Sequence, residues 1–446
     1  GSGKTAPRKG TGSILSVLRV VCHENNMRVR LADFSASQKE HRLPSSQRVR
    51  GAVGGRDQSV DVGDLAPPAP RHISNVKALP LILALCGACL LLVHPLPASA
   101  GPPVKIILDV DLAEDVDDAG ALATLHALAN RGEAEILGIL ISSNNEWVGP
   151  CADAINTWYG RPDVPIGYQR GHRYGYRNTK DSDRETPSQY AETVAKKFPH
   201  DLERSSDAPD AALLSRKLLA AQPDRSVTIV TVGFLTNLRN LLDSQPDESS
   251  PLDGEALVKQ KVKQWVCMGG IFPSGRFPDG QGEYNFMYDT VASVRAVNDW
   301  PTPVVFSGFA IGAAIKVGAR LVETPEANPV RMCYQLYNGL KDREAWDLTA
   351  VLYAVRGASN YWTLSEPGFC LMHARVTHGY NEWIPTPQKQ HRYLVEAMPP
   401  EQVGKLIEDL IVEPPRSANP ILQGRYADPE ATVFGKIRMP APSRGK

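Results

Sequence analysis

The stretch KIILDVDLAEDVDDAGALATLHAL, residues 105–128, decides how the chain is read. It opens on an apolar run short enough for one buried strand. Six of the ten residues from Asp109 to Asp118 are then acidic, and apolar residues at helical spacing follow over 118–131. Crowded carboxylates repel and raise one another's pKa unless protons or a cation neutralise them. Acids favour a helix N-terminus, which accounts for one or two of these residues and not for six.

Outward from this stretch, short apolar strands alternate with helices. AEILGILISS (134–143), SVTIVTVG (226–233), VKQWVCMGG (262–270) and PTPVVFSG (301–308) read as strands. GPCADAINTWYG (149–160), PDAALLSRKLLAAQ (209–222), FLTNLRNLLDS (234–244) and DREAWDLTAVLYAVRG (342–357) read as helices. That alternation predicts an α/β fold with a mostly parallel central sheet flanked by helices, a Rossmann-like open sheet. Ligands bind beyond the carboxyl ends of such strands, and the acidic cluster stands at one. Residues 170–206 read as a polar insertion, 361–383 as strands or irregular structure, and 412–446 as a Pro-rich tail.

The first hundred residues differ, with 13 Lys+Arg against 6 Asp+Glu, whereas the other 346 hold 36 against 43. A mildly acidic body argues against a nucleic-acid groove, which needs a basic footprint. Residues 1–75 are Arg- and Ser-rich without a helical or strand period and read as a disordered or non-native extension. The opening GSGKT lacks the strand and first glycine of a phosphate-binding loop. Lys77, the apolar run 79–93 and ASA at 98–100 form a signal-peptide pattern, too short for a comfortable membrane span. The expectation is export to the periplasm or extracellular space, with cleavage after Ala100 and translation beginning near residue 75. Cys151, Cys267, Cys333 and Cys370 fit neither a zinc site nor a disulfide scaffold; each reads as a small buried hydrophobe, with one disulfide left open.

Of two other readings of the acids, the EF-hand fails on spacing and the phosphatase stays a remoter alternative. An EF-hand loop counted from Asp109 has Ala113 where its fifth position needs an oxygen ligand, and a strand replaces its first helix. A haloacid-dehalogenase-like phosphatase matches Asp109-Val-Asp111 but needs Thr where Ala113 stands.

The pattern Asp109-x-Asp111 followed by Asp117-Asp118-Ala-x-Ala-Leu resembles the signature of the inosine-uridine-preferring nucleoside hydrolase family. TVGFLTNLRNLL (231–242), MGGIF with GEYNFMYDTVAS (268–293) and WDLTAVLYAV (346–355) resemble further motifs of that family, in its order. The resemblance spans 104–356 and implies a catalytic domain over 101–411. It implies a Ca²⁺ ion held by Asp111, Asp118, Asp347 and the Val232 carbonyl, hard oxygen ligands that suit this ion. Asp111 would take a proton from the water that attacks the anomeric carbon of a ribosyl group. Asp117, Asn144, Glu283 and Asn285 would hold the sugar hydroxyls, with Met268 and Trp346 also lining the substrate site. Asp109 would support the loop.

The sequence departs from the family in three places. Its acidic loop is longer, with Asp115 as an extra acid whose site role and capping role are equally open. Trp346 stands where many members carry a His that protonates the leaving base, and an indole is no general acid near neutral pH. It could stack on a planar leaving group or simply pack. Ala310 stands where members often carry Asp. Trp147 is a candidate base-pocket wall or a core residue, and YQRGHRYGYRN (168–178) a lid or a plain loop. The expected activity is Ca²⁺-dependent hydrolysis of a small-molecule N-riboside to ribose and free base. A nucleoside- or sugar-binding protein without catalysis is the alternative, and the sequence leaves a homodimer or a homotetramer open.

Overall fold

The computed structural model describes residues 101–112, 115–171, 186–373 and 378–416. The N-terminal extension, the signal-peptide pattern, the aromatic and arginine-rich residues 172–178 and the tail from residue 417 lie outside the described residues.

The strands are β1 (Val104–Val110), β2 (Ala134–Ile141), β3 (Ile166–Tyr168), β4 (Val227–Thr231), β5 (Val262–Met268) and β6 (Val304–Ser307). After them come β7 (Lys316–Val317), β8 (Arg343–Glu344), β9 (Trp362–Leu364), β10 (Gly368–Met372), β11 (Asn381–Pro385) and β12 (His391–Glu396). The main sheet runs β11-β10-β12-β6-β5-β4-β1-β2-β3. Every pairing from β12 to β3 is parallel, while β9, β10 and β11 form an antiparallel wing. The chain lays β1, β2 and β3 outward to one side, then returns to start β4 against β1. The β1/β4 junction is therefore the topological switch point, where an open α/β sheet binds its ligands.

β1 is buried on both faces, as a central parallel strand must be. Ile106, Leu108 and Val110 face one core with the helices Asp117–Asn130, Trp346–Arg356 and Pro400–Ile411. Ile107 faces the other, with residues of the helices Ala211–Ala220, Thr236–Leu242 and Thr290–Asp299. Asp109 shares the parity of Ile107 and is fully buried.

Two expectations change and one is sharpened. The helix expected from 342 starts at Trp346, because Arg343–Glu344 pair antiparallel with Lys316–Val317. The segment 361–383 resolves into β9, β10 and the start of β11. Inside the polar insertion, Ala191–Lys197 is a helix that buries Ala191, Val194 and Ala195. The helix Pro400–Ile411 has no counterpart in the sequence reading, although Val403, Ile407, Leu410 and Ile411 carry a helical period and are buried. The four body cysteines are free thiols, all buried. Among the described residues no helix is long and apolar enough to cross a membrane.

Candidate active site

At the end of β1 the chain turns sharply. Leu112 adopts a left-handed φ of 49°, a conformation that costs a non-glycine residue energy and tends to persist at functional sites. Three contacts hold the turn. The Asp111 N–H donates to Asp118 Oδ1 at 2.9 Å, Ser143 Oγ donates to the Asp111 carbonyl at 2.6 Å, and Ser142 Oγ donates to the Val110 carbonyl at 3.2 Å. β4 ends so close to this turn that a Cβ on Gly233 would stand 2.6 Å from Ser142 Oγ and 2.8 Å from the Asp111 nitrogen. Only glycine fits there. Asp109 lies below, its oxygens accepting from Asn237 Nδ2 at 3.1 and 3.3 Å, and the same amide reaches the Ile141 carbonyl at 3.1 Å. Asn237 thus ties β1 and β2 to the helix after β4, in the supporting position expected of Asp109.

Two helices start at this crevice, Asp117–Asn130 and Trp346–Arg356, and both carry acids in their first turn. Their N-terminal dipole ends favour negative charge. Carboxylate oxygens of Asp117, Asp118 and Asp347 lie within 4.8 Å of one another, and all three residues are buried. At that separation two full charges repel by about 3 kcal/mol at an effective dielectric of 20. Burial pushes all three carboxyls well above the usual range, and their neighbouring carboxylates push them further. Asp111 adds to the load on Asp118 and Asp347. Among the described residues none of the three is in an ion pair, and the Asp347 N–H donates to Asp117 Oδ2 at 3.2 Å. Three hard oxygen donors from two distant segments, crowded and without an ion-pair partner among the described residues, fit a divalent cation.

The donor set is close to the expected one and differs from it in detail. Asp118 and Asp347 meet as anticipated. Asp117, assigned to the sugar, is the third member of the trio, while Asp111 lies beside Asp118. The Val232 carbonyl accepts from Asn285 Nδ2 at 3.0 Å. That amide also points at the Met268 carbonyl and sulfur, 3.3 and 3.2 Å away, which joins Met268, Val232 and Asn285 at the ends of β5 and β4. Glu283 caps the short helix Tyr284–Tyr288, accepting from Asn285 N and Phe286 N, and reaches back to Gly270 N at 3.2 Å. Burial raises its carboxyl to about 7, with the N–H donors opposing. Asn144, half-buried at the end of β2, accepts from the Tyr168 hydroxyl at 3.1 Å. Its backbone carbonyl accepts from the Thr186 N–H at 2.8 Å.

Trp346 is braced rather than loose. Its indole N–H donates to the Phe309 carbonyl at 2.9 Å, the Phe309 ring lies 5.3 Å away, and the Arg343 guanidinium sits 5.0 Å from its centroid. Asp115 is ion-paired to Arg343, with Nε donating to its two oxygens at 3.0 and 3.2 Å. Trp147 is half-buried against the core, with Lys196 Nζ 4.9 Å from its ring, and Ala310 is exposed. The sequence reading names neither Asn237 nor Arg343, nor the aromatic pair Phe234 and Tyr288, stacked 3.8 Å apart. Asn237 lies inside TVGFLTNLRNLL, and the Tyr284/Tyr288 spacing is visible in GEYNFMYD. Nothing in one sequence pairs Arg343 with Asp115.

A switch-point crevice lined by buried carboxylates is the kind of site an open α/β sheet offers to a small-molecule hydrolase. The family model for inosine-uridine preferring nucleoside hydrolases matches residues 106–409, so the chain belongs to that family, and the protein is an N-glycosyl hydrolase. A plant nucleoside hydrolase, the PpNRh1 enzyme, is 18% identical with a TM-score of 0.51, covering 70% of this chain and 100% of that one. The type III effector protein XopQ complexed with adenosine diphosphate ribose is 15% identical with a TM-score of 0.52, covering 70% of this chain and 94% of that one. At these identities the likeness concerns the fold. No curated protein matches the sequence.

Proposed function

We propose that the protein uses Ca²⁺ to hydrolyse the N-glycosidic bond of a ribonucleoside or related N-riboside, giving ribose and free base. The observation that carries this reading is the buried trio Asp117, Asp118 and Asp347, crowded and without an ion-pair partner among the described residues. Protons or an added cation must offset the repulsion in such a group, and three hard oxygen donors suit a divalent cation. When bound, the ion supplies positive charge that neutralises the cluster and acidifies a nearby water. Asp111, at the strained turn beside Asp118, takes a proton from the attacking water. Glu283, Asn285 and Asn144 hold the ribose hydroxyls while positive charge develops on the ring, as in other glycoside hydrolyses.

The electrons of the broken C–N bond go to the base, which then needs a proton. The Trp346 N–H is spent on the Phe309 carbonyl and does not supply it. Bases that leave without help are therefore favoured. Because one fold carries both hydrolases and an effector, the fold alone does not assign turnover. The test is turnover of a panel of purine and pyrimidine ribosides with and without chelator. Turnover of at least one riboside, abolished by chelation and restored by Ca²⁺, is the expected result. Binding of ribosides without turnover would establish a binding protein, and full turnover in excess chelator would remove the metal from the mechanism.

A further inference from the structure

The acids of the crevice come from two places, the loop and helix at 111–118 and the helix that starts at Trp346. Two polar links between these segments stand out. One is the Asp347 N–H to Asp117 Oδ2, and it occupies an oxygen of the trio itself. The other uses no oxygen of the trio. Arg343, on β8 four residues before Asp347, donates through Nε to Asp115, two residues before Asp117, at 3.0 and 3.2 Å.

That arginine is fixed on several sides. Its NH1 donates to Glu344 Oε2 at 2.9 Å, and Glu344 is also ion-paired to Lys316 on β7. Its guanidinium lies 5.0 Å from the Trp346 ring and 5.6 Å from the Tyr337 ring. Asp115 is fixed in turn, since its carbonyl accepts from the Tyr190 hydroxyl at 2.7 Å and its Oδ1 from the Val116 N–H at 2.7 Å. The two side chains are about three-quarters covered, 29% and 28% exposed, so solvent screens this pair less than a surface pair. Both ends of the bond are held by further contacts, and each leads directly into a helix N-terminus of the crevice.

We propose that the Asp115–Arg343 pair is a positioning clasp that sets the separation of the loop carboxylates from Asp347, and so tunes the affinity of the crevice for a divalent cation. The inference rests on the reading of the trio as a cation site. It gives the extra acid of the loop a role, and it gives one to Trp346, whose ring forms a wall of the groove in which Arg343 lies.

Position and charge predict opposite outcomes. Removing the arginine charge alone leaves Asp115 unpaired and makes the crevice more negative, which would tighten cation binding. Removing the clasp loosens the geometry, and loss of supporting contacts around a metal site typically weakens affinity by about 10–100-fold. The experiment is calorimetric titration of chelator-stripped protein with Ca²⁺, for wild type, Arg343→Gln, Arg343→Lys and the double variant Asp115→Asn/Arg343→Gln. The double variant keeps the net charge and loses the ion pair together with the Arg343 contacts to Glu344 and the two rings. Expected is about tenfold weaker binding in the double variant and in Arg343→Gln. Arg343→Lys should rescue little, because an ammonium cannot reproduce the planar fork. Melting in chelator, measured alongside, should stay close to wild type, which separates a loosened site from a damaged fold. Wild-type affinity in the double variant, or tighter binding in Arg343→Gln, would overturn the clasp. Failure of the wild type itself to bind Ca²⁺ would overturn the cation site, a result visible before any variant is made.

Discussion

The helix Asp117–Asn130 is buried at both ends among polar groups, and the two ends are built on opposite principles. At its C-terminal end His126 uses both ring nitrogens, Nε2 with Asn156 Oδ1 at 2.9 Å and Nδ1 with Arg161 at 3.3 Å, and its ring stacks 4.6 Å from Tyr159. Arg161 goes on to Asn130 Oδ1 at 2.7 Å. Burial first, then the Arg161 charge, lowers the His126 pKa to about 3, so the ring is neutral and its hydrogen bonds are made within the chain. At the N-terminal end Asp117 and Asp118 face Asp347 with no direct ion pair among the described residues, and Asp117 feels the Arg343 charge only as a minor opposing influence. At the C-terminal end the imidazole and the guanidinium find partners inside the fold, although Asn130 Nδ2, Asn156 Nδ2 and the Tyr159 hydroxyl are buried with no hydrogen-bond partner among the described residues. The crevice carboxylates are left short of such a partner for their charge, and the molecule carries the cost where its dipoles lessen it.

The sharpest way to break this contrast is Asp118→Asn. If the N-terminal end lacks only a cation, the variant loses Ca²⁺ binding, and its turnover falls to that of chelated wild type. Its metal-free form should melt higher than metal-free wild type, because one repelling charge is gone. A lower melting temperature in chelator would mean that Asp118 is structural, like His126. Next in size is the leaving-group effect. General acid catalysis contributes about 10²–10⁴-fold, and a p-nitrophenolate group departs without it. The kcat/KM for p-nitrophenyl riboside should exceed that for inosine or uridine by a factor in this range. Comparable values would show that another residue protonates the base.

The two ends also predict opposite pH slopes for the metal-free protein. The crevice carboxyls have raised folded pKa values, so their share of stability is full below about pH 4 and is lost as pH rises, through about 7 for Glu283. His126 and His391 have folded values lowered to about 3, so their share is full above about pH 6.5 and is lost as pH falls towards 3. Each group contributes about 1.4 kcal/mol per pH unit inside its window. Denaturant melts from pH 3 to 8, with and without Ca²⁺, separate them. Calcium should flatten the alkaline slope and leave the acid slope unchanged.

Much of this was legible in one sequence, for reasons that differ by residue. The alternation of short apolar strands with helices predicts the parallel sheet because period and length are local properties. The acidic run marks the crevice because nothing in a core explains so many carboxylates. The role of Asp115 was not legible, since its partner Arg343 is far away in sequence and lies on a two-residue strand that reads as helix. The meeting of Asp117 with Asp347 has the same origin, as does the bracing of Trp346 by the Phe309 carbonyl. Pairings across long loops are set by topology, and a single sequence shows them only where a motif already links the segments. The helix Pro400–Ile411 is another matter. Its period was present, and a search for strand–helix alternation passes over a helix that follows the antiparallel wing.

The smallest expected effect tests the self-contained end. In His126→Gln a neutral side chain replaces a neutral ring and can still reach Asn156, but it cannot also meet Arg161 or stack on Tyr159. One buried hydrogen-bond partner is lost, and the cost at pH 7 should be about 1–3 kcal/mol. Because the residue lies at the far end of the helix from the crevice, Ca²⁺ affinity and kcat/KM should stay at wild-type values. The acid slope between about pH 6.5 and 3 should shrink by the share of one histidine and keep that of His391, whose folded pKa is lowered to the same value. Melting curves at pH 4 and 7 measure this, and the gap between variant and wild type should narrow at the lower pH. A gap independent of pH would mean that folding leaves the His126 pKa unshifted, and a gap that widens at pH 4 would mean that the ring is protonated in the fold. A change in Ca²⁺ affinity would mean that the two ends of the helix are coupled, and the division between a structural end and a functional end would fail.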